Sequence, residues 1–250
     1  MSRMPTPPDI RILSLEHGPV PGARALNPRF QEGRPLLRAA LRIAWSPDDP
    51  RAAVRRVEER LLAFSPGLGR HECRGLRGYH AFRSGADVQD FGAGFEAPLA
   101  LAHLVEHAII DFQCGISGET LCSGITGARR APQDLFDVIV ECADPRLGRS
   151  CLALAIAWLT RAADGRPPGR SEREILMAAR LAYAKGGAAL RPPCLARSLR
   201  WRAEDTARAL ATLRDVGLLD ESPFTVNISG VPEYRLGAAS PDLARGEAGT

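Results

Sequence analysis

The chain has 250 residues, 45% hydrophobic and 25% charged, a balance that excludes an intrinsically disordered polymer and allows one large domain or two small ones. Its formal charge of +4, carried almost wholly by arginine since Lys185 is the sole lysine, admits an anionic partner without demanding one. No run approaches the ~18 uninterrupted apolar residues of a membrane span, no apolar leader follows "MSRMPTPPD", and none of the six cysteines forms a C-x-x-C pair, so the expectation is a reduced, cytoplasmic protein with no membrane partner.

In chain order, "DIRILSLEHG" (9–18) alternates apolar and polar residues and predicts a strand, and "PLLRAALRIAW" (35–45) predicts a second. The stretch 46–64 carries Val54, Val57, Leu61 and Leu62 at helical spacing behind a capping aspartate. Residues 67–96 are glycine-rich and loop-like, a helix is expected over 98–112, and 115–133 reads as a second long glycine-rich connection. "DLFDVIVECAD" (134–144) predicts a strand and 148–163 an apolar helix. "DGRPPGR" (164–170) has linker composition. After it come a helix with a capping box at Ser171 and Glu174, a helix at 192–201, a helix at 203–222 and a hairpin at 224–236 turning at Gly230. Three helices and a hairpin resemble a winged-helix domain. The expected class is therefore α+β: a mixed domain over 1–163, a linker, a winged-helix-like domain over 171–237 and a disordered tail over 238–250.

The chemistry concentrates in "LAHLVEHAIID" (101–111), which holds two of the five histidines. At about 100° per residue, His103, Glu106, His107 and Ile110 share one helix face, while Leu101, Leu104, Val105, Ala108 and Phe112 share the other. Histidines at i and i+4 can aim at one point, and a glutamate beside them can reach a water there, which is the logic of the H-x-x-E-H zinc hydrolase motif. A catalytic zinc needs a third protein ligand. On the strand 134–144, Phe136, Val138 and Val140 point one way and Asp137, Ile139 and Glu141 the other, and a carboxylate on so apolar a strand needs a partner, so Glu141 is the expected third ligand and Asp137 the fallback. His71 and His80 read as solvated or substrate-facing, His17 as a turn residue, and Cys142 as core.

The segments "IRILSLEHGPVPGARALNPRF", "RLLAFSPGLGRHEC", "LAHLVEHAIIDFQ", "GISGETLCSGITGARR" and "DVIVECADPRLGRSCLALA", in this order, together resemble the N-terminal domain of cyanophycin synthetase over roughly residues 9–160. The family's ligase activity does not carry over, because the chain has no G-x-x-x-x-G-K-[ST] and no room for the ATP-grasp and Mur-ligase-like domains. The resemblance implies a zinc-dependent peptidase that cuts the arginine–aspartate polymer, with His103 and His107 as ligand histidines, Glu106 as catalytic glutamate and Glu141 as strand glutamate. Where the family has a "GRT"-like run this chain has "GITGARR", so the substrate need not be the same.

Three functions follow as expectations. The first is a zinc peptidase or amidohydrolase on a peptide or cyanophycin-like polymer: Zn2+ is held by His103, His107 and Glu141, Glu106 takes the water proton, and Arg129 and Arg130 meet a substrate carboxylate. The second is a regulator with a metal- or ligand-sensing N-terminal domain, binding DNA or protein through "AEDTARALATLR", with Arg197, Arg200, Arg202, Arg208 and Arg214 supplying charge. The third is a module that grips a peptide or polymer without cutting it.

Overall fold

A computed structural model describes residues 7–70, 97–120, 122–129, 132, 134–221 and 232–237. His71, Cys73, His80, Arg130, the expected turn at Gly230 and the expected tail 238–250 lie outside these residues. The fold is α+β. Strands β1 (Asp9–Gly18), β2 (Leu36–Ala44), β3 (Gly124–Ala128) and β4 (Leu135–Glu141) form an antiparallel sheet in the order β1-β2-β4-β3. The short α1 (Ala23–Leu26) lies between the first two strands. Helices α2 (Pro50–Phe64), α3 (Ala97–Ser117) and α4 (Pro145–Ala163) follow in order, with a 3₁₀ turn at Pro66–Arg70 before α3. After α4 come α5 (Arg170–Ala184), α6 (Pro192–Leu199), α7 (Ala203–Asp215), and the paired β5 (Leu219–Glu221) and β6 (Tyr234–Leu236).

The strand alternation decides which sheet face is which. Leu37, Ala39, Leu41 and Ile43 of β2 and Phe136, Val138 and Val140 of β4 join the main core with α3 and α4. Leu36 and Ile139 point the other way and form a separate small cluster with Phe30, flanked by Val20, Ala23 and Ile125. His17 is not in a turn: it lies in β1, with its Nε2 2.8 Å from the Cys142 carbonyl.

Helix α3 is the centre of the molecule, buried on nearly every side by α2, α4, α5 and the sheet. It is the one helix among the described residues long and apolar enough to cross a bilayer, but 78% of its apolar window is buried by the rest of the chain, so it serves as a core helix. Its Phe112 meets Phe64 and Trp158 edge-on, with ring centroids 6.5 and 5.0 Å away, which locks α2 and α4 against it. The helix runs a full turn past the expected end at 112. Glycine is absent until Gly115, and the chain turns only at Gly118, whose φ of +79° suits a residue without Cβ.

Two boundaries differ from the sequence expectation. The "connection" 115–133 contains β3, because an open edge of β4 satisfies its backbone despite two glycines. The third C-terminal helix stops at Asp215, with Gly217 at φ +81° behind it, so Leu219–Glu221 is a strand rather than helix. Leu190 is bridged to Tyr234, so the segment between α5 and α6 meets β6 beside the β5–β6 pair.

The break between α4 and α5 falls at residues 164–169, yet the core does not divide there. Ile175, Ala178, Ala179, Ala182, Leu210 and Tyr234 belong to the same buried cluster as α3 and the sheet, so 1–163 and 171–237 are not two independent cores. Polar contacts cross as well: Ser150 Oγ donates to the Val216 carbonyl at 3.0 Å, Arg146 to the Gly237 carbonyl, and Arg173 to the Ala63 carbonyl at 3.2 Å. The capping also differs from the expected Ser171/Glu174 pair. Glu172 accepts from the Gly169 amide at 2.7 Å and from Ser171 Oγ at 2.9 Å and pairs with Arg161, while Glu174 pairs with Arg170.

This yields a pH prediction. Burial alone would raise the Glu172 carboxyl, but the Gly169 amide, the Arg161 guanidinium and the Ser171 hydroxyl outweigh it and hold it at about 2, below its ordinary 4.5. A depressed carboxyl stabilises the fold fully above the unfolded value and loses that contribution as pH falls from about 4.5 toward 2. Glu172→Gln is expected to lower Tm at neutral pH and to lose its effect near pH 2. A Tm difference independent of pH would remove the linkage.

Candidate functional site

The H-x-x-E-H residues sit where the fold is most apolar. His103, Glu106 and His107 are each no more than 5% exposed, on a helix whose other neighbours are Leu, Val, Ala and Ile. Three buried polar side chains in such a helix are costly unless they meet partners. The two imidazoles meet each other: their Nε2 atoms lie 3.1 Å apart, with ring centroids at 4.6 Å. Two zinc–nitrogen bonds of about 2.0–2.1 Å at a tetrahedral angle place their nitrogens roughly 3.3 Å apart, so the pair is aimed as two ligands of one ion would be.

Glu106 is held from the sheet. Thr126 of β3 donates its hydroxyl to Glu106 Oε2 at 2.5 Å, and the same oxygen lies 3.5 Å from His103 Nδ1. A negative charge on that side favours the His103 tautomer with its proton on Nδ1, which leaves the Nε2 lone pair toward His107. Gly124, two residues before Thr126 on the same face of β3, completes the cradle: a Cβ there would lie 2.7 Å from Glu106 Oε1 and 3.0 Å from Ile110 Cδ1. Neither Gly124 nor Thr126 was singled out from sequence. The only signal was a β-branched hydroxyl at alternate spacing in "SGITGA", inside a run that reads as loop.

Glu141 does not join this group. It belongs with Ile139 and Leu36 to the sheet face turned away from α3, and its carboxylate is taken by backbone amides, Gln31 N at 2.5 Å and Ser123 N at 2.9 Å. The expectation failed on orientation: the alternation along β4 was legible, but the face carrying Phe136, Val138 and Val140 is the one that packs on the helix. A carboxylate on an apolar strand did need a partner, and two amides supply it. Asp137, the fallback, lies on the same far face, where Arg129 grips it at 2.8 and 3.0 Å and Arg38 lies at 3.4 Å. The Arg129 hydrogen bond, with Arg38 assisting, holds the Asp137 carboxyl below the usual range against its partial burial. Arg129 is thus placed away from Glu106, in an ion pair across β3 and β4, and does not face the histidines.

The two imidazoles suit two positions of a zinc site, and neither strand carboxylate supplies a third. Among the described residues no group of three or more His, Cys, Asp or Glu side chains is arranged to hold an ion. No family model matches the chain, and no curated protein sequence matches it.

Proposed function

We propose that the chain is a metal-dependent hydrolase of peptide or other amide bonds, with His103 and His107 holding the ion and Glu106 as general base. The observation that carries this reading is the convergence of two Nε2 atoms at 3.1 Å beside a carboxylate, inside an otherwise apolar helix. Apolar side chains would pack this interior at lower cost, so the trio calls for a role beyond folding. A divalent ion held there would supply Lewis acidity toward a scissile carbonyl. The chain's own part is to fix the two imidazoles by burial, to bias the His103 proton to Nδ1 through Glu106, and to accept a proton at Glu106 Oε1, since Oε2 is engaged by Thr126. The resemblance to the cyanophycin synthetase N-terminal domain supports an arginine–aspartate polymer or β-aspartyl peptide as the first substrate to assay.

The test is metal content. Purified full-length protein reconstituted with zinc is expected to hold a single ion per chain, His107→Ala none, and Glu141→Ala the same amount as wild type, because Glu141 serves backbone amides rather than the ion. Equal zinc in His107→Ala and wild type would end the proposal. Zinc retained with no hydrolysis of any peptide would leave a binding or sensing module.

The order of three helices and a β-pair after residue 169 supports a second reading, a winged-helix-like unit that contacts a partner through the C-terminal helices. Its nature leans toward protein rather than duplex DNA. Of the five arginines expected to supply charge, Arg202, Arg208 and Arg214 on and beside α7 are paired with Glu204, with Asp205, and with Asp215 and Glu221 respectively, which reduces the positive charge this helix offers to phosphates. A salt-dependent shift with random duplex DNA would reverse that preference.

A further inference from the structure

The sheet ends at β1, and the outer edge of that strand carries no further strand among the described residues. The Cys142 amide donates to the Pro35 carbonyl and the Ile43 amide to the Asp134 carbonyl, so odd-numbered residues along β2 bond toward β4 and even-numbered ones toward β1. Opposite those even positions lie Asp9, Arg11, Ser14, Glu16 and Gly18. Ile10, Ile12, Leu15 and His17 therefore aim their backbone N–H and C=O groups outward. Open edges are ordinarily blunted against pairing. This one instead leaves Ile12 43% and Leu13 47% exposed, adjacent large hydrophobic side chains on the strand that has no outer neighbour.

We propose that β1 is a dimer interface, pairing antiparallel with β1 of a second copy of this chain and joining the two four-stranded sheets into one. A two-fold axis normal to the sheet preserves its faces and requires outward-pointing residues to meet outward-pointing residues. Only one register does this for the whole set: Ile10 against His17 of the second copy, and Ile12 against its Leu15. Each of those pairs exchanges both N–H···O bonds. The same register sets Arg11 against Glu16 of the second copy, and by symmetry Glu16 against its Arg11. These are non-hydrogen-bonded positions, where facing side chains come closest. Backbone direction alone chose the register, so the match of charge is a separate observation in its favour. Both side chains are more than half exposed and within reach of a partner.

The bulge between Ile12 and Ser14 makes this possible. In a regular strand Arg11 and Glu16 lie on opposite faces, because their separation is odd. The extra residue restores the phase. Arg11 opposes Arg42 and Glu16 opposes Arg38, residues of one parity on β2, so both stand on the sheet face turned away from α3. Arg11 pairs with Asp9 at 2.7 Å and Glu16 lies 4.0 Å from Arg38. Across the seam the order becomes Asp9, Arg11, then Glu16 and Arg38 of the second copy, alternating in sign. On the other face Ile12 covers Leu15 of the second copy. The inference needs neither the metal nor the hydrolase reading, so each can fail alone.

The experiment is sedimentation equilibrium of the full chain over a range of concentrations. Wild type is expected to weigh twice the single chain. Arg11→Glu and Glu16→Arg each bring like charges together at both symmetry-related positions, and each should weaken association by about tenfold or more. An equimolar mixture of the two variants should recover the dimer, because the mixed pair again opposes unlike charges at both positions. The double variant Arg11→Glu/Glu16→Arg should recover it alone. Arg11→Gln and Glu16→Gln, which remove a charge without reversing it, repeat the comparison with smaller shifts should a reversed-charge variant fold poorly. A wild-type chain that stays monomeric at every concentration would overturn the proposal and leave the edge to an extended segment of another protein. A dimer indifferent to all these substitutions, or folded single variants that stay monomeric when mixed, would overturn it as well.

Discussion

Glu106→Gln is expected to keep the zinc and lose hydrolysis. Glutamine is nearly isosteric, and its amide oxygen can still accept from Thr126 Oγ1, so α3 and both imidazoles should stay in place. What is lost is the ability to take a proton at neutral pH, and general-base assistance is typically worth about 10²–10⁴ in rate. The structure adds a second job to Glu106, because the same carboxylate lies 3.5 Å from His103 Nδ1. If its main work is to orient that imidazole, Glu106→Gln should instead weaken zinc by about 10–100-fold, the usual cost of losing an outer-shell partner. Zinc affinity and kcat measured on the same variant separate the two. Unchanged affinity with a large fall in kcat assigns the base, a parallel fall in both assigns the positioning role, and unchanged values in both remove Glu106 from the chemistry. Thr126→Val completes the comparison, since it leaves the carboxylate but removes the hydroxyl that fixes it.

Much of this site was legible in residue order, and the parts that were not have physical causes. The spacing of His103, Glu106 and His107 sets them on one helix face whatever surrounds the helix, because 3.6-residue periodicity is local. What lay around the helix was not local. Alternation along β4 told which residues share a face but not which face meets α3, and that one unknown moved Glu141 and Asp137 to the far side together. Strand β3 was hidden for a related reason: Gly124 and Gly127 lower its intrinsic preference, and only pairing with β4 and contact with Glu106 make it a strand. The linker composition of 164–170 fell on the break between α4 and α5, but composition carries no information on whether Ile175, Ala178 and Ala182 bury against their own unit or against α3.

Gly124 is the position where a single methyl group is expected to reach both the fold and the chemistry. A Cβ there would lie 2.7 Å from Glu106 Oε1, 2.9 Å from Glu106 Cγ and 3.0 Å from Ile110 Cδ1. None of these neighbours yields freely. Glu106 is tethered to Thr126, Ile110 is 4% exposed, and the strand itself is fixed by pairing of Gly124 with Val140 and by Asn27 Nδ2 donating to the Gly124 carbonyl at 2.8 Å. Overpacking of this kind costs about 1–3 kcal/mol, which for a chain of this size lowers Tm by roughly 2–4 °C for each kcal/mol. Because the displaced atoms are those of Glu106, Gly124→Ala should also lower kcat or zinc affinity. Gly127→Ala is the control: it lies three residues along the same strand with nothing within 4 Å of its would-be Cβ, so it should leave Tm and zinc affinity near wild type. Equal behaviour of the two variants in thermal denaturation and zinc titration would mean that β3 does not press on Glu106 as the structure has it.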